Sequence, residues 1–216
     1  MLQVFYALTD MCGVNLHQLT PADRGALQRV AETATAAGAR AMSQMLNMPV
    51  RVGDSRLRIS RLAEAYMVME TMPKHMTVVY MEAQGEIAGQ LILVCPTSSA
   101  NAMAKILLGK QRGREADRLA MRRDAMGEVG NIVLSSYLNA MAELTGLGGA
   151  PTPPMVAIDV SSAVLQLPLA RAASDTDAVV RFDAAFAMGD AFDSRSLRAP
   201  FHVLFLPAPG TLNAMV

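Results

Sequence analysis

Asp124, Glu128 and Asn131 recur at spacings of four and three residues. On a helix that turns about 100° per residue, this spacing stacks them on one face. With Asp124 at zero, Glu128 lies near about 40°, Asn131 near about −20° and Ser135 near about 20°. Met126, Val129, Val133, Tyr137 and Leu144 fall on the opposite side, between about 140° and 220°. The expectation is therefore a polar stripe of Asp124, Glu128, Asn131 and Ser135, with the far face buried. Carboxylates accept hydrogen bonds and pair with cations, whereas an amide donates and accepts together. Gly127 and Gly130 interrupt the helix beside the stripe, each costing roughly 1 kcal/mol relative to alanine. Two readings of them stand: close packing against a neighbouring helix, and clearance for a partner to reach Glu128 and Asn131.

A long helix must carry this stripe. Its pattern runs from about Glu115 to Leu144, and Gly146-Leu147-Gly148-Gly149 followed by Pro151, Pro153 and Pro154 stops it. An extended piece from Met155, a helical piece over Ser161–Ala173, strands near Val179–Met188 and Phe201–Leu206, and a short terminal helix follow. The preceding half has the same order. Thr20-Pro21 opens a helix that reaches Asn47. Then come an extended piece over Met48–Ile59, a helix near Arg61–Glu70, and strands over Met76–Glu82 and Glu86–Val94 joined at Gln84-Gly85. A helix over Ser98–Leu108 closes the half. The strand-to-helix exits also match in letters: Leu93-Val94-Cys95-Pro96 leads to Asn101-Ala102-Met103, and Phe205-Leu206-Pro207 leads to Asn213-Ala214-Met215. The fold class expected is α+β: a pseudo-twofold, duplicated helix–strand–helix–strand–strand–helix unit around a central, mainly antiparallel sheet. It would be a single domain over 1–216, with repeats at about 21–110 and 115–216.

The chain has 216 residues, of which 52% are hydrophobic and 18% charged, enough for a substantial core. Its 19 Lys+Arg balance 19 Asp+Glu, which disfavours a general nucleic-acid binder. No apolar run approaches the ~20 residues of a membrane span. The first residues lack the pattern of a signal peptide. Cys12 and Cys95 read as reduced thiols, so the expected compartment is the cytoplasm. The 17 methionines read as core fillers rather than a recognition groove. His17, His75 and His202 show no ligand spacing. Asp175 and Asp177 read as a turn, and Asp183 is not expected to join them in a cation site. Gly146-Leu147-Gly148-Gly149 lacks the residues of a phosphate loop. Neither a nucleophile triad nor a dinucleotide fingerprint is present. Lys105, Lys110, Arg112, Arg114, Arg118, Arg122 and Arg123 cluster ahead of Glu128, and read as a solvated linker and helix start rather than a steering patch.

Asp124, Glu128, Asn131 and Pro154 fit the pattern (Asp/Ser)-x3-Glu-x2-Asn-x22-Pro, and with the duplicated order the chain resembles the CheC/CheX/FliY phosphatases of bacterial chemotaxis. The resemblance covers nearly all of the chain after Pro21. It implies hydrolysis of the aspartyl phosphate on a CheY-type response regulator, with Mg²⁺ bound in that receiver and no cofactor or metal bound by this chain. Such a phosphate is already activated, so a residue that aligns water for in-line attack suffices, as glutamine does in GTPases. The resemblance assigns Asn131 that role and pairs Glu128 with a receiver lysine. Asp124 and Pro154 support the site. In the first half, Glu32 matches Glu128 but Thr35 stands at the asparagine position, Gln28 at the Asp/Ser position and Arg58 at the expected proline. A threonine hydroxyl lacks an amide's reach, so this second site is expected to be degenerate. The implied partners are a phosphorylated CheY-type receiver and, as a further option, a CheD-type deamidase. Neither nucleic acid nor membrane is expected, and the oligomeric state is left open. The alternative is a non-catalytic CheC-like or switch-type binding module, as in the middle domain of FliM.

Overall fold

The computed structural model describes residues 19–53, 55–69, 73–109, 115–160, 178–188 and 197–215, with 166 and 170. The expected helix over 161–173 lies outside the described residues save for those two positions. Cys12, His17, Lys110, Arg112, Arg114, Asp175 and Asp177 lie outside them too.

Helix α1 (Pro21–Leu46) starts where the letters place it. The Thr20 hydroxyl accepts from the Asp23 N–H at 3.2 Å, and the Thr20 N–H donates to the Asp23 carboxylate at 2.7 Å. Together they close a capping box that satisfies two otherwise unpaired donors. Asn47 ends the helix in the left-handed region, with φ 48°. Two short strands follow, β1 (Val50–Val52) and β2 (Arg56–Arg61), then helix α2 (Leu62–Met69). Strands β3 (His75–Gly85) and β4 (Gly89–Pro96) form a hairpin, and α3 (Thr97–Leu108) closes the half. The second half runs α4 (Glu115–Thr145), β5 (Gly149–Pro151), β6 (Met155–Val160), β7 (Ala178–Met188), β8 (Leu197–Pro207) and α5 (Thr211–Met215).

All strand pairings are antiparallel, and the sheet order is β1-β7-β8-β4-β3-β5, with β2 also on β7 and β6 also on β3. The extended piece of each half thus pairs with a long strand of the other half. Val50 faces Met188 and Leu57 faces Phe182, while Val156 faces Val79 and Ile158 faces Thr77. β4 and β8 meet in the middle, where Ile92 faces Leu204 and Leu93 faces Val203. A pseudo-twofold through that point exchanges the halves, the arrangement expected of the duplicated unit.

Helices α1 and α4 lie together on one face of the sheet. Val30, Ala34, Met126, Val129 and Val133 pack there against Val79, Met81, Leu91, Leu93, Phe182 and Phe205. The other face buries Val78, Ile92, Val94, Val179, Leu204 and Leu206 with Leu62 of α2. β4 is therefore buried on both faces, which explains the unbroken apolar run Leu91-Ile92-Leu93-Val94-Cys95. Burial pushes the Cys95 thiol up to about 12. Met42, Met81, Met103, Met126 and Met141 fill the helix side of the core, while Met67 and Met155 are exposed. Among the described residues no helix is long and apolar enough to cross a membrane.

The β3–β4 turn differs from expectation. β3 continues to Gly85, and Glu86-Ile87-Ala88 makes the connection. Ile87 is fully buried, and the Gly148 carbonyl accepts from the N–H groups of both Glu86 and Ile87. The turn is clamped onto the segment after α4, so tertiary contacts override the local Gln84-Gly85 signal. Gly85 at φ 109° and Gly89 at φ 148° supply the backbone that a side chain would resist.

Candidate functional site

The stripe is present on α4. Asp124, Glu128 and Asn131 are exposed and Ser135 is half-buried, whereas Met126, Val129, Val133 and Tyr137 are buried. Leu144 departs from expectation and is 45% exposed. The buried positions rotate along α4, from Ala125 and Met126, three turns in, to Leu138 and Met141 near its end. The last turn of α4 thus carries Leu144 off the core.

Arg123, Asp124, Gly127 and Glu128 of α4 face Pro154 and Val156 across a shallow groove of about 390 Å³. Asn131 lies one turn further along the same stripe, with the Ser135 hydroxyl 3.5 Å from its side-chain oxygen. At that distance the contact is weak, and the amide stays available to a partner. Pro154 ends the Pro-rich turn and immediately precedes β6, whose pairing with β3 fixes it beside the helix. Arg123, assigned to a solvated helix start on sequence grounds, is part of the groove wall.

The two glycines do different jobs. A methyl on Gly130 would collide with all three branch atoms of Val79, at 2.7 Å from Cβ, 2.9 Å from Cγ2 and closer still to Cγ1. Gly130 therefore lets α4 lie directly on β3, so the close packing is against a strand and not, as expected, against a helix. A methyl on Gly127 would meet only Val156 Cγ2, at 3.6 Å.

The first half has a matching groove of about 420 Å³, lined by Glu32, Thr35, Ala36, Val52, Gly53, Ser55 and Arg56. Its residues are turned to structural use. Thr35 is 1% exposed and donates to the Ala31 carbonyl. That leaves its oxygen to accept from Tyr137 of α4, at 2.5 Å. Burial pushes the Tyr137 phenol up to about 12. The Gln28 amide donates to Glu32 at 2.9 Å and to the Ser55 carbonyl at 3.1 Å, and its oxygen accepts from the Leu57 N–H at 3.0 Å. Gln28 thus fastens α1 to β2. The Thr35–Tyr137 link joins residues 102 apart, and only the side-by-side packing of the two repeats brings them together.

Arg58 does not occupy the proline position. Ser55 does: it immediately precedes β2 as Pro154 precedes β6, and it lines the groove with Glu32 and Thr35. α4 continues further past Glu128, to Thr145, than α1 does past Glu32, to Leu46, so an ungapped count overshoots. Arg58 instead lies on the opposite face of the sheet, with Nε 3.2 Å from Asp183. Arg181 Nε at 3.0 Å and His202 Nδ1 at 2.7 Å approach the same carboxylate. Burial works to raise the Asp183 carboxyl, but the His202 hydrogen bond and the charges of Arg181, His202 and Arg58 outweigh it and hold it below the usual carboxylate range. His202 is thus a half-buried strand residue and His75 an exposed one. Among the described residues no three His, Cys, Asp or Glu side chains gather as a metal site.

Residues 121–158, which span the stripe, the Pro-rich turn and most of β6, match the model of the CheC-like family. The site segment is similar to that family. The chain is 26% identical over 141 residues to the CheY-P phosphatase CheC of Bacillus subtilis (strain 168), covering 64% of this chain and 68% of that protein. Its fold is similar to that of FliY from Thermotoga maritima, with a TM-score of 0.70 at 18% identity over 92% of this chain and 96% of the other. It is also similar to the structure of a CheX-CheY-BeF3-Mg+2 complex from Borrelia burgdorferi, with a TM-score of 0.53 at 16% identity over 81% and 96%. The CheC-like segment contains Asp124, Glu128, Asn131 and Pro154, while Glu32 and Thr35 lie outside it.

Proposed function

We propose that this chain is a phosphatase for the aspartyl phosphate of a CheY-type receiver, acting in the cytoplasm through α4. The observation that carries the reading is the exposed Asp124–Glu128–Asn131 stripe beside Pro154, in the segment that matches the CheC-like family. The Glu128 carboxylate engages a receiver lysine and sets the register. The Asn131 amide reaches the phosphoryl group and holds a water in line with the acyl–phosphate bond, accepting from the water through its oxygen and donating through its nitrogen. The water oxygen bonds to phosphorus, the bond to the aspartyl oxygen breaks, and a free carboxylate and inorganic phosphate result. Asn131 is not consumed. The receiver supplies Mg²⁺, which neutralises charge on the phosphoryl oxygens.

The test is the lifetime of the aspartyl phosphate on CheY-type receivers with the full chain added. Shortening on at least one receiver is expected. A lifetime unchanged on every receiver that the chain binds would favour the second reading, a module that binds a receiver without hydrolysis. The conversion of Thr35 and Gln28 to packing roles in the first half is the observation that favours this second reading.

A further inference from the structure

Gly127 sits between the two carboxylates of the stripe and forms part of the groove with Pro154 and Val156. Its backbone does not require glycine, since it is not among the residues with positive φ. Packing does not require it either, because an added Cβ meets a single atom at ordinary contact distance. Helix propensity favours alanine here. Neither backbone, packing nor propensity accounts for the missing side chain, in contrast to Gly130, whose Cβ would strike Val79. The counterpart in the first half, with Glu32 matched to Glu128, is Ala31, which is fully buried. The methyl is thus carried by the repeat that lacks the asparagine.

We propose that Gly127 is a specificity-determining position for the receiver. Its bare Cα admits a backbone segment of the receiver to the groove, close enough for Glu128 and Asn131 to engage together. Glycine serves such close backbone approach elsewhere. A methyl would hold that segment away from α4 and weaken the docking that brings the receiver to Glu128 and Asn131. This inference rests on the phosphatase reading and names what controls entry to that site.

The experiment compares the full chain with Gly127→Ala, Gly127→Ser and, as a control for catalysis, Asn131→Ala. Melting temperature, affinity for a CheY-type receiver carrying beryllium fluoride and Mg²⁺, and phosphate release are measured for each. Gly127→Ala is expected to melt at or above the wild-type temperature, to bind about tenfold more weakly and to lose kcat/KM by a similar factor. Gly127→Ser should bind more weakly still. Wild-type affinity in both glycine variants, or a lowered melting temperature for Gly127→Ala, overturns the proposal. If Asn131→Ala hydrolyses like wild type while Gly127→Ala binds weakly, the catalytic reading fails and the clearance role stands. A wild-type chain that binds no receiver overturns both.

Discussion

Replacing Gly130 with alanine sets two known effects against each other. The helix gains about 1 kcal/mol from propensity. Against that, the new methyl lands on Val79, at 2.7 Å from Cβ and 2.9 Å from Cγ2, well inside contact distance. Overpacking of this kind costs about 1–3 kcal/mol where neighbours can partly yield. Val79 yields poorly: it is β-branched and stiff, 1% exposed, and held in β3 between Leu93 and Val156. The expected net change is a loss of about 1–2 kcal/mol, near the upper part of that range less the propensity gain. Urea unfolding should show a lower midpoint at an unchanged slope. Val79→Ala in the same chain should recover part of the loss, and the double-mutant cycle should give a coupling of about 1 kcal/mol or more between the two positions. A Gly130→Ala chain more stable than wild type, or strict additivity with Val79→Ala, would refute the close approach of α4 to β3.

Thr35→Val should cost about 1–3 kcal/mol, because it strands the buried Tyr137 hydroxyl, while leaving phosphate release unchanged; reduced release at full folding would show that the first groove is active. Asp183 has a folded-state pKa held below its unfolded value. Its contribution to stability is therefore complete above the ordinary carboxylate pKa of about 4 and is lost as pH falls through the lowered folded value. The stability gap between wild type and Asp183→Asn should narrow as pH falls below about 4; a gap independent of pH would contradict the network.

The helices and the stripe were legible because both follow from local rules. Thr20, Pro21 and Asp23 fix the start of α1, and the 100° phase alone groups Asp124, Glu128 and Asn131. Leu144 was misread because a fixed phase ignores the drift of the buried face along α4. The pairing of β2 with β7 was not legible, since Arg58 and Arg181 are joined only through tertiary register. The same holds for the turn at Glu86-Ile87-Ala88, fixed by Gly148, and for Thr35, whose hydroxyl is set by Tyr137. Duplication was visible in repeated letters. The exchange of edge strands that makes the two halves one sheet was not.

The central claim is that Asn131 aligns the attacking water from the outside of α4. The direct measurement is single-turnover phosphate release from a CheY-type receiver at saturating amounts of wild type and of Asn131→Ala. The account predicts that the acceleration falls about a hundredfold or more in the variant. It predicts an unchanged melting temperature, because the side chain is exposed. Acceleration by Asn131→Ala equal to that of wild type would contradict it.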